Sequence, residues 1–129
     1  MAPISVTLAP RDPPAAVVAL VGEHDAYSAG RLDGEFAVLL EEGRHVVVDL
    51  RDAEFIDSST LGVLLNASRD AEHAGLGFTL VLASRTYTQV NQLLDLTGLG
   101  SAFAIYDTLD NALAAARRGE SGGSVRSAA

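Results

Sequence analysis

The sequence predicts an α/β domain in which a mixed, mostly parallel sheet of about five strands carries four helices. Short apolar runs rich in β-branched residues alternate along the chain with segments of helical periodicity. All four prolines fall within the first fourteen residues, so nothing later in the chain forbids regular elements. Strands that alternate with helices imply a largely parallel sheet with right-handed crossovers.

Five segments have strand character. The first alternates apolar and polar residues from Ile4 to Leu8, a period of two that indicates a half-buried strand near a sheet edge. The other four are short apolar runs over 15–21, 45–50, 78–83 and 102–106. A short proline-rich turn joins the first two segments, so we expect these two strands to be antiparallel.

Four segments between and after these runs show apolar residues at helical spacing, within 29–40, 61–68, 90–97 and 109–116. The last three are each followed by a glycine, at positions 75, 98 and 119. A residue in the left-handed conformation commonly ends a helix, and glycine adopts that conformation most easily. The glycines therefore predict where these three helices end.

The chain has 129 residues, no cysteine, and 17 acidic against 9 basic residues, for a formal net charge of −8. Its length suits one domain, which we place at 1–118, with a Gly- and Ser-rich flexible tail at 119–129. The absence of cysteine excludes a disulfide scaffold and a cysteine metal site. The negative charge argues against nucleic acid or an anionic membrane as partner. No segment resembles a membrane span or a signal peptide, so we expect a soluble cytoplasmic domain.

The most informative stretch is 49–65, in which a buried strand leads into the start of a helix. The polar residues Asp57, Ser58, Ser59 and Thr60 lie at that junction. The simplest interpretation is helix capping, in which one side chain accepts a hydrogen bond from an unpaired backbone N–H. Three neighbouring hydroxyls exceed what a cap needs, and a helix N-terminus suits a phosphate group. The junction is therefore also a candidate phosphorylation site.

Three sequence patterns occur in order along the chain. These are G-E-H-D at 22–25, D-S-S-T-L-G at 57–62 after V-V-V-D-L at 46–50, and L-D-L-T-G-L at 94–99. They are similar to the G-E-L-D, D-S-S-G-L-G and L-x-L-T-G-L patterns of STAS domains. This family includes bacterial anti-sigma factor antagonists and the soluble tails of sulfate transporters. The resemblance spans roughly 4–117, nearly the whole domain.

The resemblance implies an anti-sigma factor antagonist that is not an enzyme and needs no cofactor or metal. It implies that an anti-sigma factor with serine kinase activity phosphorylates Ser58, with Ser59 as the alternative acceptor, and that a serine phosphatase reverses the reaction. The unphosphorylated form would bind the anti-sigma factor and release a sigma factor, as a partner switch in transcription regulation and stress response. The implied partner-binding residues are Asp25, Asp57, Ser59, Thr60, Leu61 and Gly62.

Thr60 departs from the family pattern, in which many members have glycine, and we expect its larger side chain to lie in the docking surface. An alternative within the family is a module of a transport or stress-sensing complex without a sigma factor. A small α/β enzyme is the alternative from another class, but no G-x-S-x-G elbow surrounds Ser58 and no P-loop is present. A response-regulator receiver would need a lysine after its last core strand, and the chain contains none.

Overall fold

Seven strands and four helices follow one another in the computed structural model, which describes residues 3–9 and 12–122. A short 3-10 turn over Leu99–Ala102 precedes the last strand. In chain order the elements are β1 (Ile4–Ala9), β2 (Ala15–Leu20), β3 (Gly22–His24), α1 (Ala26–Glu41), β4 (His45–Asp49), β5 (Ala53–Ile56), α2 (Ser58–His73), β6 (Phe78–Val81), α3 (Gln89–Thr97), β7 (Ala104–Tyr106) and α4 (Leu109–Arg117).

The main sheet has five strands in the order β1-β2-β4-β6-β7. β1 is antiparallel to β2, and the remaining neighbours are parallel. The predicted fold class, the antiparallel first pair and the four helices are therefore confirmed. The three predicted helix stops are confirmed as well, since Gly75, Gly98 and Gly119 have φ angles of 73°, 71° and 84°.

Both faces of the main sheet are covered by helices. Val46 and Val48 of β4 pack into the larger core cluster with apolar residues of α1, α2 and α3, whereas Val47 faces Ala112 and Ala116 of α4. All three valines are fully buried, which explains why β4 is a continuous apolar run instead of an alternating one. Within the described ranges, no helix is long and apolar enough to cross a membrane.

A second, two-stranded sheet was not predicted from the sequence. β3 and β5 pair in parallel, with Glu23 opposite Phe55 and His24 opposite Ile56. β3 continues from the end of β2 and β5 follows the turn after β4, so this small sheet lies beyond the carboxyl ends of two main-sheet strands. β3 (G-E-H) and β5 (A-E-F-I) are short and each contains a glutamate, so neither forms the apolar run from which the equally short β6 and β7 were predicted.

The folded domain extends past the predicted boundary at residue 118. The Phe78 N–H donates a 2.8 Å hydrogen bond to the Glu120 carbonyl, and Ser121 forms a bridge with Phe78 and is buried. Gly122 lies so close to Ala102 that a Cβ atom would stand 2.3 Å from the Ala102 carbonyl oxygen. The prediction of a flexible tail is therefore wrong for 119–122, and its remaining part, 123–129, lies outside the described residues.

Candidate functional site

The small β3–β5 sheet brings the starts of two helices together. His24 ends β3 and pairs with Ile56 of β5, and the Asp57 N–H donates a 3.2 Å hydrogen bond to the His24 carbonyl. α1 begins directly after Asp25 and α2 directly after Asp57. These two predicted site residues, distant in sequence, are thus placed at neighbouring helix N-termini by backbone pairing.

Asp25 is the N-cap of α1. Its carboxylate Oδ1 accepts hydrogen bonds from the backbone N–H groups of Tyr27, at 3.0 Å, and Ser28, at 3.4 Å. The Ser28 hydroxyl lies 3.2 Å from the Asp25 N–H and completes a capping box. Asp25 itself remains exposed, so its carboxylate is accessible to a partner.

Asp57 is the N-cap of α2, and its Oδ1 accepts a 2.9 Å hydrogen bond from the Thr60 N–H. The capping interpretation of this junction is therefore correct for Asp57. Ser58 and Ser59 follow as the first two residues of the helix, and both are exposed. Within residues 3–9 and 12–122, neither serine hydroxyl has a hydrogen-bond partner, so neither serves the cap.

Thr60 lies inside the domain and not in the docking surface where it was expected. It is fully buried, and its Oγ1 is 3.0 Å from Asp57 Oδ1 and 3.4 Å from the His24 carbonyl oxygen. Leu61, the next predicted partner-binding residue, belongs to the main core cluster. Gly62 is half-buried with open space around its Cα. The accessible residues of the predicted set are therefore Asp25, Asp57, Ser58, Ser59 and Gly62.

Gln89, which the sequence did not single out, is tied to the same junction. The Ile56 N–H donates a 2.9 Å hydrogen bond to Gln89 Oε1, and Gln89 Nε2 donates a 3.0 Å hydrogen bond to the Ile56 carbonyl. The side-chain amide thus pairs with β5 as a neighbouring strand would. No local pattern marks a glutamine for this task, because its partner lies far away in sequence.

His24 lies beside this junction, at the end of β3, and is almost fully buried. Its Nε2 is 3.0 Å from the Val21 carbonyl oxygen and its Nδ1 is 3.2 Å from the Ser28 hydroxyl. Both ring nitrogens therefore have partners, as a buried imidazole requires. The histidine stands where the G-E-L-D pattern has leucine, and it links β3 to the first turn of α1.

The surface around the two helix starts is acidic and partly apolar. The segments 21–28 and 52–60 carry five acidic residues and no basic ones. They also expose three large apolar side chains, with Val21 at 40%, Tyr27 at 70% and Phe55 at 41% of full accessibility. These apolar side chains and the neighbouring carboxylates are therefore accessible to a protein partner.

Comparison with solved structures shows that the molecule has the SpoIIAA-like α/β fold. An anti-sigma factor antagonist from Mycobacterium paratuberculosis superposes with a TM-score of 0.72 and 28% identity, over 89% of this chain and 95% of that one. The Bacillus cell fate determinant SpoIIAA in its phosphorylated form shares the fold, with a TM-score of 0.60 and 20% identity over 85% of this chain and 97% of that one.

The STAS domain family model matches residues 7–112, and the chain belongs to this family. An anti-sigma F factor antagonist of Paenibacillus polymyxa is 31% identical over 99 residues, which cover 75% of this chain and 82% of that relative. The family resemblance predicted from the three sequence patterns is thus confirmed.

Proposed function

We propose that the protein is an anti-sigma factor antagonist that changes partners when Ser58 is phosphorylated. The observation that carries the proposal is the exposed hydroxyl of Ser58 at the first position of α2, directly after the capping Asp57. The anti-sigma factor antagonists among its relatives support the same function. In its unphosphorylated form the protein binds an anti-sigma factor, which then releases its sigma factor.

The start of α2 suits a phosphoserine. The backbone N–H groups of the first helical turn and the positive end of the helix dipole stabilise an anion there. Ser59 is also exposed and is the alternative acceptor. Thr60 is excluded as an acceptor in the folded protein because its hydroxyl is buried and hydrogen-bonded.

Phosphorylation would weaken the complex through charge. A phosphate adds about −1.5 to −2 charges next to Asp57 and close to the Asp25 turn, in segments that already lack basic residues. Burying this cluster in an interface carries a large desolvation cost and strong like-charge repulsion. The fold itself tolerates the group, because a negative charge at a helix N-terminus is favourable.

The proposed partners are an anti-sigma factor that is also a serine kinase and a serine phosphatase that reverses the modification. ATP is held by the kinase, so the protein acts as a substrate and needs no cofactor or catalytic residue of its own. This mechanism places the protein in the cytoplasm, in a stress-responsive branch of transcription regulation.

A release experiment tests the proposal. The complex with the anti-sigma factor from the same cell is isolated by gel filtration and then incubated with ATP and Mg²⁺. The wild type is expected to be phosphorylated and to dissociate, whereas Ser58→Ala binds and stays bound. Ser59→Ala is the matched control and should dissociate as the wild type does. A complex that persists although the wild type is phosphorylated would contradict the proposal, as would co-purification with a transport ATPase in place of an anti-sigma factor.

A further inference from the structure

The two residues that precede Ser58 are held from two sides by side chains. Gln89, at the start of α3, pairs with the backbone of Ile56. Thr60, in the first turn of α2, pairs with the carboxylate of Asp57. Ser58 follows this doubly held segment directly, although its own hydroxyl makes no hydrogen bond within 3–9 and 12–122.

The contact of Gln89 matters because Ile56 is fully buried. Its N–H and carbonyl face the Gln89 amide at 2.9 and 3.0 Å, and loss of that amide would leave two backbone groups without partners. Buried unpaired polar groups are costly, so the end of β5 would shift or open to water. A disturbance at Ile56 reaches Ser58 through only one intervening residue.

The contact of Thr60 orients the cap. Asp57 Oδ1 faces two donors of the same residue, the Thr60 N–H at 2.9 Å and the Thr60 hydroxyl at 3.0 Å. The hydroxyl also lies 3.4 Å from the His24 carbonyl oxygen, which accepts the Asp57 N–H. A glycine at this position would keep the backbone donor and lose the hydroxyl.

We propose that Gln89 and Thr60 are positioning residues that hold the backbone of Asp57 in one conformation, so that the Ser58 hydroxyl is presented to the kinase in a fixed orientation. This inference rests on the proposed phosphorylation of Ser58. Neither residue touches the hydroxyl; each acts through the segment before it. Because a small misplacement of a reacting group slows a reaction strongly, loss of either contact should lower the turnover of phosphorylation more than the affinity for the kinase.

Gln89→Leu and Thr60→Val test the proposal, since each removes the polar group and keeps most of the side chain's volume. Gln92→Leu is the control on the same helix, at an exposed position. Thr79→Val is the control for Thr60, because Thr79 is equally buried and its hydroxyl donates a 2.9 Å hydrogen bond to the Ala112 carbonyl on the α4 side of the sheet.

The first measurement is hydrogen exchange of the Asp57 amide, followed by NMR on the isolated protein. Neither variant removes the hydrogen bond of this amide to the His24 carbonyl. Faster exchange therefore shows that the backbone of Asp57 is no longer kept in one conformation. We expect exchange to be at least about tenfold faster in Gln89→Leu and in Thr60→Val, and unchanged in both controls.

The second measurement is the kinetics of Ser58 phosphorylation by the anti-sigma factor kinase obtained in the release experiment. We expect kcat to fall about tenfold in each variant with KM nearly unchanged. Thr60→Ser, which keeps the hydroxyl, should restore kcat. Gln89→Glu, which keeps the acceptor for the Ile56 N–H but sets a second oxygen against the Ile56 carbonyl, should also lower kcat and remains informative if Gln89→Leu does not fold.

The outcomes separate the two proposals. A wild type that carries no phosphate at Ser58 would refute the proposed function, and with it any role of these residues in phosphorylation. A wild type phosphorylated at Ser58, with Asp57 exchange or kcat in the variants equal to that in the controls, would refute the positioning role alone.

Discussion

The helices α1 and α2 begin in the same way, but only α2 exposes serine hydroxyls in its first turn. Each follows a strand of the small sheet and is capped by an aspartate, Asp25 or Asp57. In each, the third residue of the helix carries a buried hydroxyl that faces the cap, Ser28 in α1 and Thr60 in α2. The difference lies at the first two positions, which are Ala26 and Tyr27 in α1 but Ser58 and Ser59 in α2.

This comparison shows that the position within the first turn decides what a hydroxyl does. At the third position the side chain points back toward the cap, and its hydroxyl forms hydrogen bonds there. At the first two positions it faces solvent, where an enzyme can reach it. Three adjacent hydroxyls in the sequence therefore divide into one structural group, Thr60, and two available ones.

The largest effect is expected from a charge at the first position of α2. Ser58→Asp should lower the affinity for the anti-sigma factor tenfold or more, about 1.4 kcal/mol, because the carboxylate joins Asp57 and Asp25 in the interface. Isothermal titration calorimetry measures the affinity, and circular dichroism checks the fold. Ala26→Asp places the same charge at the matching position of α1 and should cost less. Equal binding by Ser58→Asp and the wild type would show that charge does not cause release.

The two caps should differ in their contribution to stability. Asp25→Ala and Asp57→Ala should each lower the free energy of unfolding by about 0.5–2 kcal/mol. The loss should be greater for Asp57, since its removal also leaves the buried Thr60 hydroxyl without its nearest acceptor. Urea denaturation measures both values. A larger loss at Asp25 would contradict the role given to Thr60.

The hydroxyls within α2 should also differ, according to their position, in how much they contribute to the free energy of unfolding. Thr60→Ala removes a buried methyl group and a paired hydroxyl, so the free energy of unfolding should fall by about 1–3 kcal/mol. Ser58→Ala removes a hydroxyl that has no hydrogen-bond partner among the described residues, and it should change the free energy of unfolding by less than about 0.5 kcal/mol. Thermal unfolding of the two variants and the wild type measures both changes in stability. A destabilised Ser58→Ala would mean that this hydroxyl has a structural role.

The smallest effect is expected far from both helix starts, at His45. Burial, with a contribution from Arg117, lowers the pKa of this histidine, and its Nδ1 accepts a 2.8 Å hydrogen bond from the Gly77 N–H. The folded state therefore favours neutral His45, and its contribution to stability is fully present above the unfolded pKa of about 6.5 and is lost as pH falls from that value through the lowered pKa of the folded state.

Urea denaturation at pH 7.5 and 5.5 measures this dependence. The wild type should lose more stability between the two values than His45→Asn, in which the amide oxygen can still accept the Gly77 N–H. Partner binding through the helix starts should be the same for both proteins at pH 7.5. An identical pH dependence of stability in the two proteins would contradict the assignment.

The sequence predicted those features that depend on local patterns. Alternation in β1, apolar runs in the other main strands and glycine stops after three helices identified these elements, and the serines after Asp57 were correctly placed at a helix start. The sequence could not show that Thr60 is buried, because that depends on the unpredicted contact with β3. Gln89 had no signal, since its partner Ile56 is distant. The tail was misjudged from composition, because 119–122 is held by backbone contacts, such as the Glu120 carbonyl with the Phe78 N–H, that leave no apolar pattern in the sequence.

Mapping of the phosphorylated residue tests the central claim most directly. The wild type is incubated with the anti-sigma factor kinase and ATP, digested, and sequenced by mass spectrometry. The difference between the two helix starts predicts one phosphate, on Ser58, with Ser28 and Thr60 unmodified. Phosphate on Ser28 or Thr60, or on Ser59 alone, would contradict it.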